Sequence, residues 1–359
     1  MSNDNTLHST TELPFFFILG RSRSGTTLLR NLFDAHPNVA IPTEVPFIPF
    51  TYKKFGRVKT WDDKCIHDFV VCISNFWKFR NLHITAAELE IILQQERDNT
   101  PKFSYTDVIK TIACSYPSAF RKSEIMLAGD KSPSYSLFPQ LLYKIFPDAK
   151  FVAIVRDYRD VVASVKQVDF ELPYTSIICI YWRFSQRQIL KLVEKHPKQF
   201  MLIRYEDFVL KPEEKLEGIC DFLGVEFLPA VLNDFNQPKA MAQEFNAALF
   251  EKHHASLKAP VNTGNIDKWK RSLTDFDVRV ADFFVGKWAE RSGYKRLHSG
   301  FDLKALWCSI PTLIMLFLFV MIFLFTSILP SNIRGRYWSI SNIVARKYYQ
   351  FHKKKTHER

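Results

Sequence analysis

The stretch Phe15–Pro37, FFFILGRSRSGTTLLRNLFDAHP, decides how the chain is read. Five apolar residues, Phe15–Leu19, have the length and composition of a buried strand. A polar loop bounded by Gly20 and Gly25 follows, and the residues after Thr26 read as a helix. Backbone N–H groups in such a loop converge on one point. The helix N-terminus adds partial positive charge, worth about 0.3–1 kcal/mol per contact with an anion. This is how a chain cradles a phosphate. A nucleoside triphosphatase carries Lys after the second Gly of this loop, reaching the β- and γ-phosphates. Here Thr26 and Thr27 stand there, and the cation comes from Arg23 inside the loop. The loop therefore suits one phosphate bearing a small transferable group better than a metal-bound triphosphate. Its ligand contacts are expected from Ser22, Arg23, Ser24, Gly25, Thr26 and Thr27, with no metal.

A second anion site is expected after another strand. VRDYRDVVASV, Val155–Val165, places Arg156 at the end of the apolar run that begins at Lys150. A helix starting near Asp157 puts Asp160 and Ser164 on one face. Open α/β sheets bind ligands outside the carboxyl ends of their strands, so Arg156 belongs beside the first loop. A guanidinium fork with a hydroxyl suits a second, separate phosphate.

The rest of the chain frames these two motifs. It has 359 residues, 47% hydrophobic and 24% charged, which is ordinary globular composition. The net charge of +12 points to an anionic partner without saying which. The six cysteines are scattered without metal-ligand spacing and read as free thiols of a reducing compartment. The N-terminus has no basic and apolar leader pattern, and residues 1–13 read as a flexible lead-in. Further strands are expected at Lys150–Arg156 and Gln199–Tyr205. Helices are expected over Ile84–Asp98, where Thr85 and Glu88 form a capping box, and over Thr106–Lys122, Leu137–Phe146, Tyr174–Lys195, Glu213–Leu223 and Asp275–Ser292. The fold class is α/β: a P-loop-like parallel sheet flanked by helices, spanning 14–298, with a helical insertion over 50–125 that covers the sheet and shapes an acceptor pocket.

Together, Arg23-Ser24-Gly25-Thr26-Thr27 and Arg156-Asp157-Tyr158-Arg159-Asp160 with Ser164 resemble the paired motifs of sulfotransferases that use 3′-phosphoadenosine 5′-phosphosulfate (PAPS). The segment RSGTTLLRNLFDAHPNV is most similar to the tyrosylprotein sulfotransferase branch. The resemblance covers roughly residues 14–295. It implies that the first loop binds the 5′-phosphosulfate and that Arg156 and Ser164 bind the 3′-phosphate. It also implies nucleotide contact by Tyr205 and by residues of 245–269. Lys131, in GDKSPSY, falls where the family has a lysine on the sulfuryl group. Glu44, in HPNVAIPTEVPF, falls where the tyrosylprotein branch has its catalytic base; its apolar, proline-flanked setting is expected to raise its pKa. The implied activity is sulfuryl transfer from PAPS, as co-substrate, to a hydroxyl or amine, with no metal. The expected partners are this nucleotide donor and an unidentified acceptor, with no nucleic acid. Two other readings are a P-loop nucleotide kinase and a non-catalytic membrane adaptor that binds anionic polymer.

Leu306–Leu329 contains no charged residue and is long enough to cross a bilayer, so 304–330 reads as a membrane helix. The tail 331–359 is basic and aromatic, suited to an anionic headgroup layer. The protein is expected at a membrane with a cytoplasmic catalytic domain. The thiols and the missing leader favour that side, although the basic tail alone would place the C-terminus there.

Overall fold

The computed structural model describes residues 10–327 apart from 77, 169–170 and 238–259. The lead-in before Thr10, the tail over 331–359 and most of the expected contact region 245–269 lie outside the described residues.

The elements, in chain order, begin with β1 (Phe15–Leu19), α1 (Thr26–Ala35) and β2 (Val39–Ala40). The insertion carries α2 (Ile48–Phe55), α3 (Asp63–Ser74), α4 (Ala86–Asp98) and α5 (Tyr105–Cys114). Then come β3 (Leu127–Lys131), α6 (Pro139–Ile145), β4 (Lys150–Val155), α7 (Tyr158–Val165), α8 (Thr175–Lys195) and β5 (Phe200–Arg204). The chain continues through α9 (Tyr205–Leu210), α10 (Pro212–Leu223), α11 (Asp275–Val285) and α12 (Leu303–Ser327). The strands form one parallel sheet in the order β2-β3-β1-β4-β5.

Strand β1 is central, and every residue in it is buried. Successive side chains point to opposite faces. Phe15, Phe17 and Leu19 join the core shared with the insertion, while Phe16 and Ile18 join the core under α1 and α10. The insertion is therefore continuous with the sheet: Phe47, Phe55, Trp61 and Phe69 lie in the same cluster as Phe17 and Phe151. Capping boxes start α4 at Thr85 and α5 at Ser104. Two expected helices are shorter than the sequence pattern suggests. The helix expected to Lys122 stops at Cys114, just before Pro117, which disfavours helical backbone at the preceding Tyr116. The helix expected over Asp275–Ser292 breaks at Gly286, whose φ is 54°, and a short turn resumes at Trp288.

The chain passes from β3, on one side of β1, to β4 on the other. The loops after β1 and β4 thus meet at a topological switch point, where such sheets bind ligands. Leu19 pairs with Ala153, which brings Gly20 against the backbone of β4. A Cβ on Gly20 would lie 2.6 Å from the carbonyl oxygen of Ile154. Gly25 caps α1 in the left-handed region at φ 99°, and a Cβ there would lie 2.7 Å from the Tyr205 ring. Gly25→Ala is expected to cost about 1–2 kcal/mol through the backbone alone, with the ring clash in addition. Thermal unfolding in wild-type and Tyr205→Ala backgrounds separates the two contributions. The penalty should be smaller without the ring, and equal penalties would show that the ring is no obstacle.

Candidate active site

The loop after β1 is braced by one of its own arginines. Arg21 is buried and makes a two-pronged pair with Glu171, its Nη1 donating to Oε1 at 3.0 Å and its Nη2 to Oε2. Its guanidinium also lies 4.1 Å from the ring centre of Tyr181 on α8. Burial raises the Glu171 pKa, but Arg21, with help from Ser22 and Arg23, outweighs it and holds the carboxyl below its usual range. Arg21 is thus a strut between the loop and α8. Nothing in the sequence motif reveals its partner, which lies 150 residues away.

Arg23 does the opposite. It sits at φ 70°, and its Nε donates to Ser164 Oγ at 2.9 Å. Arg156 donates through Nη1 to the backbone oxygen of Arg23 at 3.0 Å and through Nη2 to that of Asn265 at 2.5 Å. The Arg156 guanidinium lies 4.7 Å from the ring centre of Tyr205. Burial and the nearby Arg156 charge lower the Arg23 pKa to about 10. Two guanidinium groups held this close in a buried place favour an anion between them. Two buried polar atoms here have no protein partner, Ser24 Oγ and Arg156 Nε. Each is a vacant hydrogen-bonding position for such an anion.

Asp160 explains how the segment around Asp267 is held. Its carboxylate accepts from the backbone N–H of Asp267 at 3.0 Å and of Trp269 at 2.9 Å. Burial raises its pKa to about 6 despite Arg156. The Asp267 carboxylate, an odd neighbour for an anion by sequence, turns away to Lys270 at 2.6 Å. Arg159 is also structural: it pairs with Asp157 and lies between the Tyr158 and Trp269 rings.

A third cluster stands on the other flank of the loop. Lys131 ends β3, and its Nζ lies 3.5 Å from Thr27 Oγ1 and 3.9 Å from Glu44 Oε2. Glu44 also pairs with Lys78 and accepts from Ser132 Oγ at 3.4 Å. The expected rise in its pKa is overturned. Burial does raise it, but Lys78 and Lys131 prevail and bring it below its ordinary 4.5. Lys78 comes from the insertion and could not be placed from sequence. The Glu44 segment is clamped from both sides. Arg30 of α1 donates to the carbonyls of Ile41 and Pro42 at 3.1 and 3.2 Å, and Asn81 Nδ2 donates to Glu44 O at 3.3 Å.

The expected residues therefore converge. Arg23, Ser164, Arg156 and Tyr205 lie together on one flank of the loop, and Thr27, Lys131 and Glu44 on the other. His36 closes α1, bonding the carbonyl of Glu226 at 2.9 Å, and stands outside the site. His67 lies 3.1 Å from Glu90 on the surface of the insertion. Among the described residues, no group of three His, Cys, Asp or Glu side chains is placed to hold a metal ion.

Residues 14–229 match the family model described as Sulfotransferase family. A protein-tyrosine sulfotransferase 1 of Danio rerio is 27% identical over 296 residues, covering 79% of this chain and 73% of that protein. The protein-tyrosine sulfotransferase of Drosophila melanogaster is 25% identical over 279 residues; the match covers 75% of this chain but 49% of the fly protein. Among solved structures, the sulfotransferase domain of the Synechococcus PCC 7002 olefin synthase superposes with a TM-score of 0.54 at 26% identity, covering 79% of this chain and 95% of that domain.

Replacing Glu171 by Gln leaves the Arg21 charge buried without its counter-ion. Breaking such a pair costs about 3 kcal/mol or more. Thermal unfolding should record a lower midpoint for Glu171→Gln. An unchanged midpoint would mean that the strut carries no load.

Proposed function

Because the chain belongs to the sulfotransferase family, we propose that its two anion sites hold opposite ends of one PAPS molecule and that it transfers the sulfuryl group to an acceptor hydroxyl or amine. The observation that carries this reading is the meeting of Arg23 and Arg156 at one loop, beside the unpartnered Ser24 Oγ and Arg156 Nε. A ligand with separated phosphates satisfies both. The backbone of Ser22–Thr27 and the start of α1 take the 5′-phosphosulfate. Arg156 and Ser164 take the 3′-phosphate, and Tyr205 lines the nucleotide side. A phosphate that engages Ser164 competes with the Arg23–Ser164 bond and frees Arg23 to follow charge on the donor. The kinase reading loses its ground to the family match, and so does the idle adaptor.

In the transfer, an acceptor oxygen or nitrogen attacks sulfur in line while the bond from sulfur to the bridging oxygen breaks. Lys131 and Arg23 stabilise charge on the sulfuryl oxygens and on the leaving phosphate. Glu44 takes the acceptor proton. It stands one lysine away from Thr27, beside the place where the sulfuryl group enters the cradle. The insertion, through Lys78 and Asn81, forms the acceptor side.

We assign the C-terminal helix to a membrane. Leu303–Ile322 is long and apolar enough to cross one, and little of it is buried against the protein. The cytoplasmic side is the reading favoured by the free thiols.

Adenosine 3′,5′-bisphosphate, the spent donor, should raise the melting temperature of the full chain. Arg23→Ala and Arg156→Ala should each remove that rise; if both variants keep it, the assignment of the two sites is wrong. Glu44→Gln should lower kcat by about 10²- to 10⁴-fold with nucleotide binding intact. The base works deprotonated and its pKa is depressed, so kcat/KM should hold down to pH 4.5 and fall only below it. An acid limb between pH 6 and 7 would point to another base, since an imidazole titrates at about 6.5.

A further inference from the structure

Helix α12 leaves the protein in a direction that the fold defines. The chain approaching it runs down α11 backwards. The backbone N–H of Leu297 binds Asp282 at 2.9 Å, Arg279 Nε binds Asp302 at 2.9 Å, and Lys304 lies 5.7 Å from the Phe276 ring centre. The next contact is on α8, where Ser176 and Thr312 share a hydrogen bond of 2.7 Å. The starts of α8 and α11 lie at the same end, because Asp277 accepts from Thr175 at 2.9 Å. Helix α12 therefore travels toward the start of α8.

That end is the active-site end. The indole of Trp182 donates to the backbone oxygen of Arg156 at 3.0 Å, which puts residue 182 level with the carboxyl end of β4. The six residues from Trp182 back to Ser176 rise about 9 Å at 1.5 Å each, beyond the strand ends. Along this stretch α8 walls the site: Tyr181 faces Arg21, and its hydroxyl lies 3.4 Å from the carbonyl of Pro133, beside Ser132 and Glu44. Ala305, Ser309 and Thr312, one helical face, carry the docking. Past them the helix stands free of the domain. Ile314 and Phe317 are more than half exposed, as is Trp307 on the opposite face of the docked part. Trp307 suits a bilayer interface, and the apolar run continues through Leu329.

We propose that the domain is seated with its active-site mouth toward the bilayer and that the acceptor is a hydroxyl or amine on the headgroup of a membrane lipid. This rests on the sulfotransferase reading and adds the acceptor class to it. The free half of α12 leaves from the rim of the site, so the lipid surface lies on the order of 10 Å above the strand ends, within reach of an extended headgroup. The lipid O–H or N–H attacks the sulfur of PAPS, a new S–O or S–N bond forms, and the S–O bond to the 5′-phosphate breaks. The electron pair leaves with adenosine 3′,5′-bisphosphate, and the proton passes to Glu44.

The test reconstitutes the full chain in vesicles made from lipid extracted from the cells that produce it, with radiolabelled PAPS and cytosol from the same cells. Label should enter the organic-solvent phase. Diluting the extracted lipid with phosphatidylcholine, at constant bulk concentration, should lower the initial rate in proportion to its surface fraction. Label in protein or in a water-soluble product overturns the inference, as does a rate indifferent to surface dilution. Absence of label while adenosine 3′,5′-bisphosphate still raises the melting temperature also overturns it, and leaves the nucleotide reading in place. Loss of that nucleotide shift overturns the sulfotransferase reading itself.

Discussion

The site depends on one constraint, the contact of the loop after β1 with the end of β4 and with Tyr205. At Gly20 a side chain would strike the β4 backbone, and at Gly25 it would strike the Tyr205 ring. The register of β1 on β4 sets this closeness, and the central, doubly buried β1 sets the register. Since the loop lies directly on β4, the backbone oxygen of Arg23 is within reach of Arg156, and two cations that would separate in water are kept together. Folding energy from the two phenylalanine-rich faces holds a charge arrangement that is unfavourable until an anion arrives.

The arginines of the loop divide this work. Arg21 and Arg23 are two residues apart and equally basic by sequence, yet they play opposite parts. Arg21 is neutralised by Glu171, whose ion pair anchors the loop to α8. Arg23 faces a hydroxyl and another guanidinium, and its pKa falls. A rigid loop and an electropositive one are competing demands, since every counter-ion that braces the loop also cancels its charge. Placing the counter-ion behind the loop at Arg21 and leaving the front to Arg23 meets both.

How much was legible in the sequence follows from the range of each interaction. The βα alternation, the two anion motifs and the capping box at Thr85 are local patterns, and they stand where the pattern puts them. The end of α5 and the break at Gly286 turn on single residues, Pro117 and Gly286, that a smooth hydrophobic period passes over. Glu171, Lys78 and Ser132 were not legible, because each acquires meaning only from a partner distant in the chain. Lys78 is the instructive case. It reads as a surface lysine of a helical segment, yet it reverses the expected shift at Glu44. An apolar, proline-flanked setting predicts the desolvation part of that shift correctly. It says nothing of the two ammonium groups that outweigh it.

A base with a depressed pKa is a weak one, and Glu44 at first looks ill suited to removing a proton from a hydroxyl. Its depression has a particular source, however. Lys131 is shared between Glu44 and Thr27, the latter in the first turn of α1. A sulfuryl group entering that turn offers Lys131 new oxygen partners, and any movement of the ammonium toward them weakens its hold on Glu44. The carboxylate then keeps Lys78 and Ser132 but loses part of one stabilising charge, so its pKa rises toward the value that burial alone would favour. Basicity is in this way linked to occupancy of the donor cradle. The carboxylate stays anchored and inert when the cradle is empty, and gains proton affinity when the group to be transferred is in place.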